Sequence, residues 1–220
     1  MKPGFKKITS PFLQWWFKKY YSKPRLFSYQ DIEIIISPGV FPPQYTFSTK
    51  MLLKYLEALD LNGKTFLELG CGSGIISLVA AKKGALVTAT DINENALNQL
   101  EKSANKNGFN LQIVKSDLFN NITESHFDYI FINPPYYPKE PNSIEESAWF
   151  CGENFDYFVK LFQQLPIFVE SNSNIVMILS KDCNIEKIQT IAQNNHLDLN
   201  LFNIQNSFWE TNYLFRIIKT

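Results

Sequence analysis

Thr65-Phe66-Leu67-Glu68-Leu69-Gly70-Cys71-Gly72-Ser73-Gly74 runs from an apolar stretch straight into three alternate glycines. A short apolar run closed by glycines reads as a buried strand, and the residues from Ile75 onward switch to helical spacing. Glycine permits the positive φ of a tight turn and leaves space for a ligand against the main chain. Strand, glycine turn and helix in this order predict a nucleotide-cofactor site in an α/β fold, with Gly70, Cys71, Gly72 and Gly74 lining the turn.

The pattern on either side repeats this unit. Strands are expected over 31–36, 86–90, 111–115, 129–132 and 175–179, and helices over 47–59, 75–83, 94–107, 155–169 and 185–194. Such alternation predicts a mainly parallel sheet between helices. The last two strands, 197–204 and 213–218, have no helix between them, which predicts an antiparallel hairpin at the C-terminal edge.

Carboxylates stand at the expected strand ends. Asp91 closes the strand after the glycine turn, where a carboxylate can accept hydrogen bonds from both ribose hydroxyls of a nucleoside, and Ile92 beside it joins the same site. Asp117, past the next strand, is placed to receive an adenine amino group, with Leu118 packing on the ring. Glu68 at the mouth of the turn attracts a cation such as a methionine ammonium and repels a pyrophosphate, which favours S-adenosylmethionine over NAD.

The fourth parallel strand ends in Asp128-Tyr129-Ile130-Phe131-Ile132-Asn133-Pro134-Pro135-Tyr136. Together with the glycine turn, this stretch resembles the class I S-adenosylmethionine-dependent methyltransferases of the Asn-Pro-Pro-Tyr group, over roughly residues 37–180. That group includes glutamine methyltransferases of release factors and adenine-N6 or guanine-N2 methyltransferases of nucleic acids. The resemblance implies a Rossmann-like fold with a mainly parallel seven-stranded sheet and a C-terminal antiparallel hairpin. It also implies that Asn133 borders the cofactor, that its side-chain oxygen and the Pro134 carbonyl accept hydrogen bonds from the target NH2, that Pro135 stiffens the loop, and that Tyr136 stacks on the planar acceptor. The segment Pro38-Gly39-Val40-Phe41-Pro42-Pro43 resembles the part that covers the cofactor in release-factor enzymes.

The acceptor expected from this resemblance is a glutamine side chain in a protein such as a translation factor, with an exocyclic base amine of RNA or DNA as the alternative. An NAD-dependent oxidoreductase and a non-catalytic adenosine-binding module are more remote alternatives, and the Asn-Pro-Pro-Tyr run argues against both. Residues 137–152, with Trp149 and Phe150, form a long connection after the catalytic strand, which either shapes the substrate mouth or is pinned to the core.

The 220 residues carry 21 basic and 21 acidic side chains, and 45% are hydrophobic, as expected for one globular catalytic unit. The charge is unevenly spread: Lys2, Lys6, Lys7, Lys18, Lys19, Lys23 and Arg25 all precede the first acid, Asp31. Residues 1–30 therefore read as a basic aromatic arm, with a short amphipathic helix between Pro11 and Pro24, and residues 31–220 as the methyltransferase domain. Cys71, Cys151 and Cys183 are too scattered for a disulfide framework or a zinc site, and no metal is expected. Without an apolar signal segment or a bilayer-length apolar run, the expected location is the cytoplasm. A partner subunit is a further candidate for substrate recognition.

Overall fold

The computed structural model describes residues 24–36, 46–124, 126–207 and 210–220. The expected arm helix and the Pro38–Pro43 segment lie outside the described residues. The chain enters as an antiparallel hairpin of β1 (Arg25–Tyr29) and β2 (Ile32–Ile36). α1 (Phe47–Glu57) leads to β3 (Thr65–Leu69), α2 (Ile75–Lys82), β4 (Leu86–Asp91), α3 (Glu94–Asn107) and β5 (Gln112–Lys115). β6 (Tyr129–Ile132), α4 (Asp156–Gln164), β7 (Asn174–Ser180) and α5 (Ile185–Gln193) follow, and β8 (Leu197–Asn206) and β9 (Thr211–Lys219) close the chain.

Seven strands form one sheet in the order β5-β4-β3-β6-β7-β9-β8. The first five are mutually parallel, and β9 runs antiparallel to both β7 and β8, so the expected sheet and hairpin are both present. The chain winds from β3 out to β5 and then returns to the other side of β3. This reversal opens a crevice at the carboxyl ends of β3, β4 and β6, the place where open α/β sheets bind ligands.

Strand alternation divides the core. Phe66, Phe131, Val176, Ile178 and Leu214 pack on one face with residues of α1, α2, α3 and β2. Leu67, Leu69, Ile130, Ile132, Met177 and Phe215 pack on the other, with α4 and α5. Each fully buried aliphatic or aromatic side chain contributes about 1.5–3 kcal/mol.

Local chemistry sets the boundaries of α3. Asn93 accepts from the Asn95 N–H at 3.0 Å, Glu94 sits in the positive first turn, and Gly108 ends the helix in the left-handed conformation. Its Asn107 then clamps β2, accepting from Glu33 N at 3.0 Å and donating to Glu33 O at 2.7 Å.

The structure differs from the sequence reading in two places. The helix anticipated over 155–169 ends at Gln164 and continues as a 3-10 turn, Leu165–Phe168, because Pro166 brings no N–H to the α-helical ladder. Arg25–Tyr29 is a strand that the sequence reading did not include, and its pairing with β2 crosses residue 30, where arm and domain were divided.

Candidate functional site

The turn after β3 is fixed by hydrogen bonds from its own backbone. Gly70 N and Cys71 N both donate to Thr90 O, at 2.9 and 2.8 Å, and Gly72 N donates to Asp91 Oδ2 at 2.8 Å. Gly72 has φ +51 and an ideal Cβ there would meet nothing within 4 Å, so the turn is bare on its open side. Gly74, at φ +74, starts α2 with its Cα against the Leu100 side chain, and a Cβ would collide with it. Cys71 is buried, and that burial pushes its thiol pKa well up, so it is an inert part of the turn.

Asp91 is mostly buried at the end of β4, with its second oxygen accepting from Asn93 N at 2.8 Å. Burial raises its pKa, and the backbone N–H groups of Asn93 and Gly72 act against that rise. A carboxylate has about four lone-pair sites, so after these two bonds each oxygen can still accept from a ribose hydroxyl. Ile92 is 40% exposed and lines an open cleft of about 310 Å³ with Asn93, Lys115, Ile144 and Glu145.

Glu68 lies beneath the turn and is only 8% exposed. Its Oε2 accepts from Ser77 N at 2.9 Å and also from Ser77 Oγ, so it ties β3 to the first turn of α2. Burial pushes its pKa up to about 8, against the Ser77 hydrogen bonds and with the help of the neighbouring Asp91 charge. Asp117 is exposed and paired with Lys160, while Leu118 is 7% exposed, at φ +54, and packs in the second core face.

β6 leads into the Asn133–Tyr136 loop. Asn133 is exposed at its end, Pro134 is buried behind it, and Pro135 and Tyr136 are half-buried. The Tyr136 ring lies 4.7 Å from that of Tyr137, and its phenol pKa is raised by burial. The long connection that follows is stitched at its base, where Tyr137 N donates to Trp149 O at 3.1 Å and Cys151 N to Tyr137 O at 2.9 Å. Lys139 sits 4.4 Å over the Phe150 ring. The tip then reaches across to Ile92, so one connection runs from Asn133–Tyr136 to the end of β4.

The carboxyl ends of β3, β4 and β6 thus bring Glu68, Gly70, Gly72, Asp91 and Asn133 to one edge of the sheet, with Asp117 just beyond β5. Sequence reasoning missed two residues of α4. Lys160 pairs with Asp117, and Tyr157 stands within electrostatic reach of Asp91 and Asp117, its phenol pKa raised by burial and by both charges. Their helical spacing of three was visible, but nothing in it named a partner on β4 or β5. Among the described residues no group of three or more His, Cys, Asp or Glu could hold a metal ion, and no helix is long and apolar enough to cross a membrane.

Residues 31–149 match the family model described as the methyltransferase small domain. A Methanocaldococcus jannaschii protein assigned as a protein N5-glutamine methyltransferase is 32% identical over 164 residues, which is 72% of this chain and 80% of that one. The ribosomal RNA small subunit methyltransferase C of Haemophilus influenzae is 36% identical over 124 residues, which is 55% of this chain but only 36% of that protein. Among solved structures, the E. cuniculi Mtq2–Trm112 complex, responsible for methylation of the eRF1 translation termination factor, aligns with TM-score 0.63 at 19% identity, covering 83% of this chain and 99% of that chain. The T. thermophilus 16S rRNA N2 G1207 methyltransferase with AdoMet and guanosine aligns with TM-score 0.61 at 16% identity, covering 88% of this chain and 50% of that chain.

Proposed function

Because the chain belongs to the small-domain methyltransferase family of S-adenosylmethionine-dependent enzymes, we propose that it methylates the side-chain amide nitrogen of a glutamine in a protein acceptor. What supports a glutamine over a base amine is the extent of likeness. The relative assigned to glutamine methylation is matched over 80% of its length, the ribosomal RNA relative over about a third.

S-adenosylmethionine supplies an electrophilic methyl on a sulfonium. In this proposal the bare backbone at Gly70 and Gly72 admits the cofactor, Asp91 takes the ribose hydroxyls, and Asp117 takes the adenine amino group. Ile92 and the edge of Leu118 border the ring, with Cys71 and Gly74 as the frame of the turn. Glu68 places a carboxyl below the cationic end.

An amide nitrogen shares its lone pair with the carbonyl and is a poor nucleophile. Two acceptors, the Asn133 side-chain oxygen and the Pro134 carbonyl, hold its two N–H groups and aim the remaining lone pair along the methyl axis. No strong base is needed, because the methylated nitrogen is a four-coordinate cation that still carries two N–H bonds, one of which is acidic enough to pass its proton by way of these acceptors to water. Pro135 fixes the backbone φ behind the acceptors, and Tyr136 supplies a face for the planar amide. A partner subunit is a candidate for supplying acceptor recognition, as the solved Mtq2–Trm112 structure is itself a complex.

The test is transfer of labelled methyl from S-adenosylmethionine to an extract of cells lacking this protein, followed by separate protease and nuclease digestion. Label released by protease and recovered as N5-methylglutamine supports the proposal. Label released by nuclease overturns it in favour of an exocyclic amine of RNA or DNA.

A further inference from the structure

One face of α4 grips the loop that follows β5. Lys160 Nζ pairs with Asp117 Oδ2. One turn further along, Gln164 holds the two residues past Leu118: its Oε1 accepts from Phe119 N at 3.3 Å and its Nε2 donates to Asn120 Oδ1 at 2.8 Å. Positions four apart on a helix share a face, so both side chains act on this loop from the same side.

The loop has a backbone that needs holding. Leu118 stands at φ +54, in the left-handed region that leucine seldom adopts. Its carbonyl accepts from Ser116 Oγ at 2.7 Å, and the same hydroxyl accepts from Asn121 N at 3.0 Å. Ser116 thus fixes the loop from within and Gln164 from α4.

None of these bonds reaches the Asp117 carboxyl, whose side chain is 50% exposed. Among the described residues its one hydrogen bond comes from Lys160, and that bond engages Oδ2, so Oδ1 keeps its lone pairs. An exposed carboxyl with no partner would give up rotamer freedom on meeting a ligand, and a pairing made beforehand removes part of that cost.

We propose that Lys160 is a positioning residue: by holding Oδ2 of Asp117 it leaves Oδ1 set to accept from the amino group of the cofactor's adenine, so that α4 takes part in telling adenine from a purine without that group. This role rests on Asp117 receiving the adenine amino group, as proposed above, and the two can fail separately in the test.

The full chain is titrated calorimetrically with S-adenosylhomocysteine and with its 6-deamino analogue, in which hydrogen replaces the adenine amino group. The unmodified chain should favour S-adenosylhomocysteine about tenfold, the worth of one hydrogen bond to a charged group. In Lys160→Met that preference should shrink about fivefold, the upper worth of a surface ion pair, through weaker binding of S-adenosylhomocysteine while the analogue binds as before. Lys160→Arg can still pair with Oδ2 and should restore most of the preference. A surface ion pair adds little to the fold, so the Lys160→Met melting temperature should be nearly unchanged. Full preference in Lys160→Met, or an equal loss for both ligands, overturns the positioning role. Preference lost in Asp117→Ala but kept in Lys160→Met overturns Lys160 alone and leaves the Asp117 reading in place. An unmodified chain without preference, or a preference that survives Asp117→Ala, overturns both.

Discussion

Asp91 and Gly72 are joined by a 2.8 Å hydrogen bond in which the backbone of the glycine turn donates to the carboxylate at the end of β4. One side chain thus shapes the turn while keeping lone pairs for further donors, which in the proposed cofactor site are the ribose hydroxyls. Asp91→Ala should remove both effects. We expect S-adenosylhomocysteine to bind at least about tenfold more weakly, and the fold to lose about 1–3 kcal/mol as buried N–H partners are orphaned. Calorimetric titration and thermal unfolding measure the two losses separately. Unchanged affinity would remove Asp91 from the cofactor site.

The glycines of the turn should separate in the same pair of assays. Gly74→Ala adds a methyl that meets Leu100 and holds alanine at φ +74, so stability should fall by about 1–3 kcal/mol. Gly72→Ala meets no protein atom within 4 Å, although its φ of +51 carries some strain. Its larger effect should be on S-adenosylhomocysteine affinity, because the added methyl projects into the bare side of the turn. A Gly72→Ala chain with normal affinity would show that the cofactor does not approach there.

Glu68 predicts a pH dependence. Burial raises its carboxyl pKa from 4.5 to about 8, so between those values the folded chain holds a proton that the unfolded chain has released. Stability from this group is therefore complete at low pH and is lost as pH rises through about 8. The cofactor-free protein should show a melting temperature that declines across this window, with a shallower decline in Glu68→Gln. Asp91 is shifted in the same direction, so some slope should remain. Identical slopes in the two proteins would mean that Glu68 is already ionised when folded.

What could be read in advance was chemistry confined to a few consecutive residues. The strands at 65–69 and 129–132 were bounded to the residue, because apolar runs end there in glycine and in Asn133-Pro134. β1 was missed since Leu26 is 67% exposed and only Phe27 and Tyr29 reach the core, leaving a weak alternation that acquires meaning through its pairing with β2. The Lys160–Asp117 pair spans 43 positions, and Asn212 meets Ser180 only through the β7–β9 register. Such contacts are products of topology, and no local pattern encodes them.

Asn133 carries the last prediction. It stands exposed at the end of β6, so truncating it should cost the fold little, and the residues expected to hold the cofactor remain in place. If its side-chain oxygen orients the acceptor amide, Asn133→Ala should lower turnover roughly 100-fold, about 2.7 kcal/mol of barrier, with cofactor affinity nearly unchanged. Asn133→Asp keeps an oxygen acceptor and should fall less far. Single-turnover methyl transfer, measured beside cofactor titration, distinguishes the chemical step from binding. A normal rate in the alanine chain would refute this role for Asn133, whereas parallel losses of rate and cofactor affinity would reassign it from orienting the acceptor to holding the cofactor.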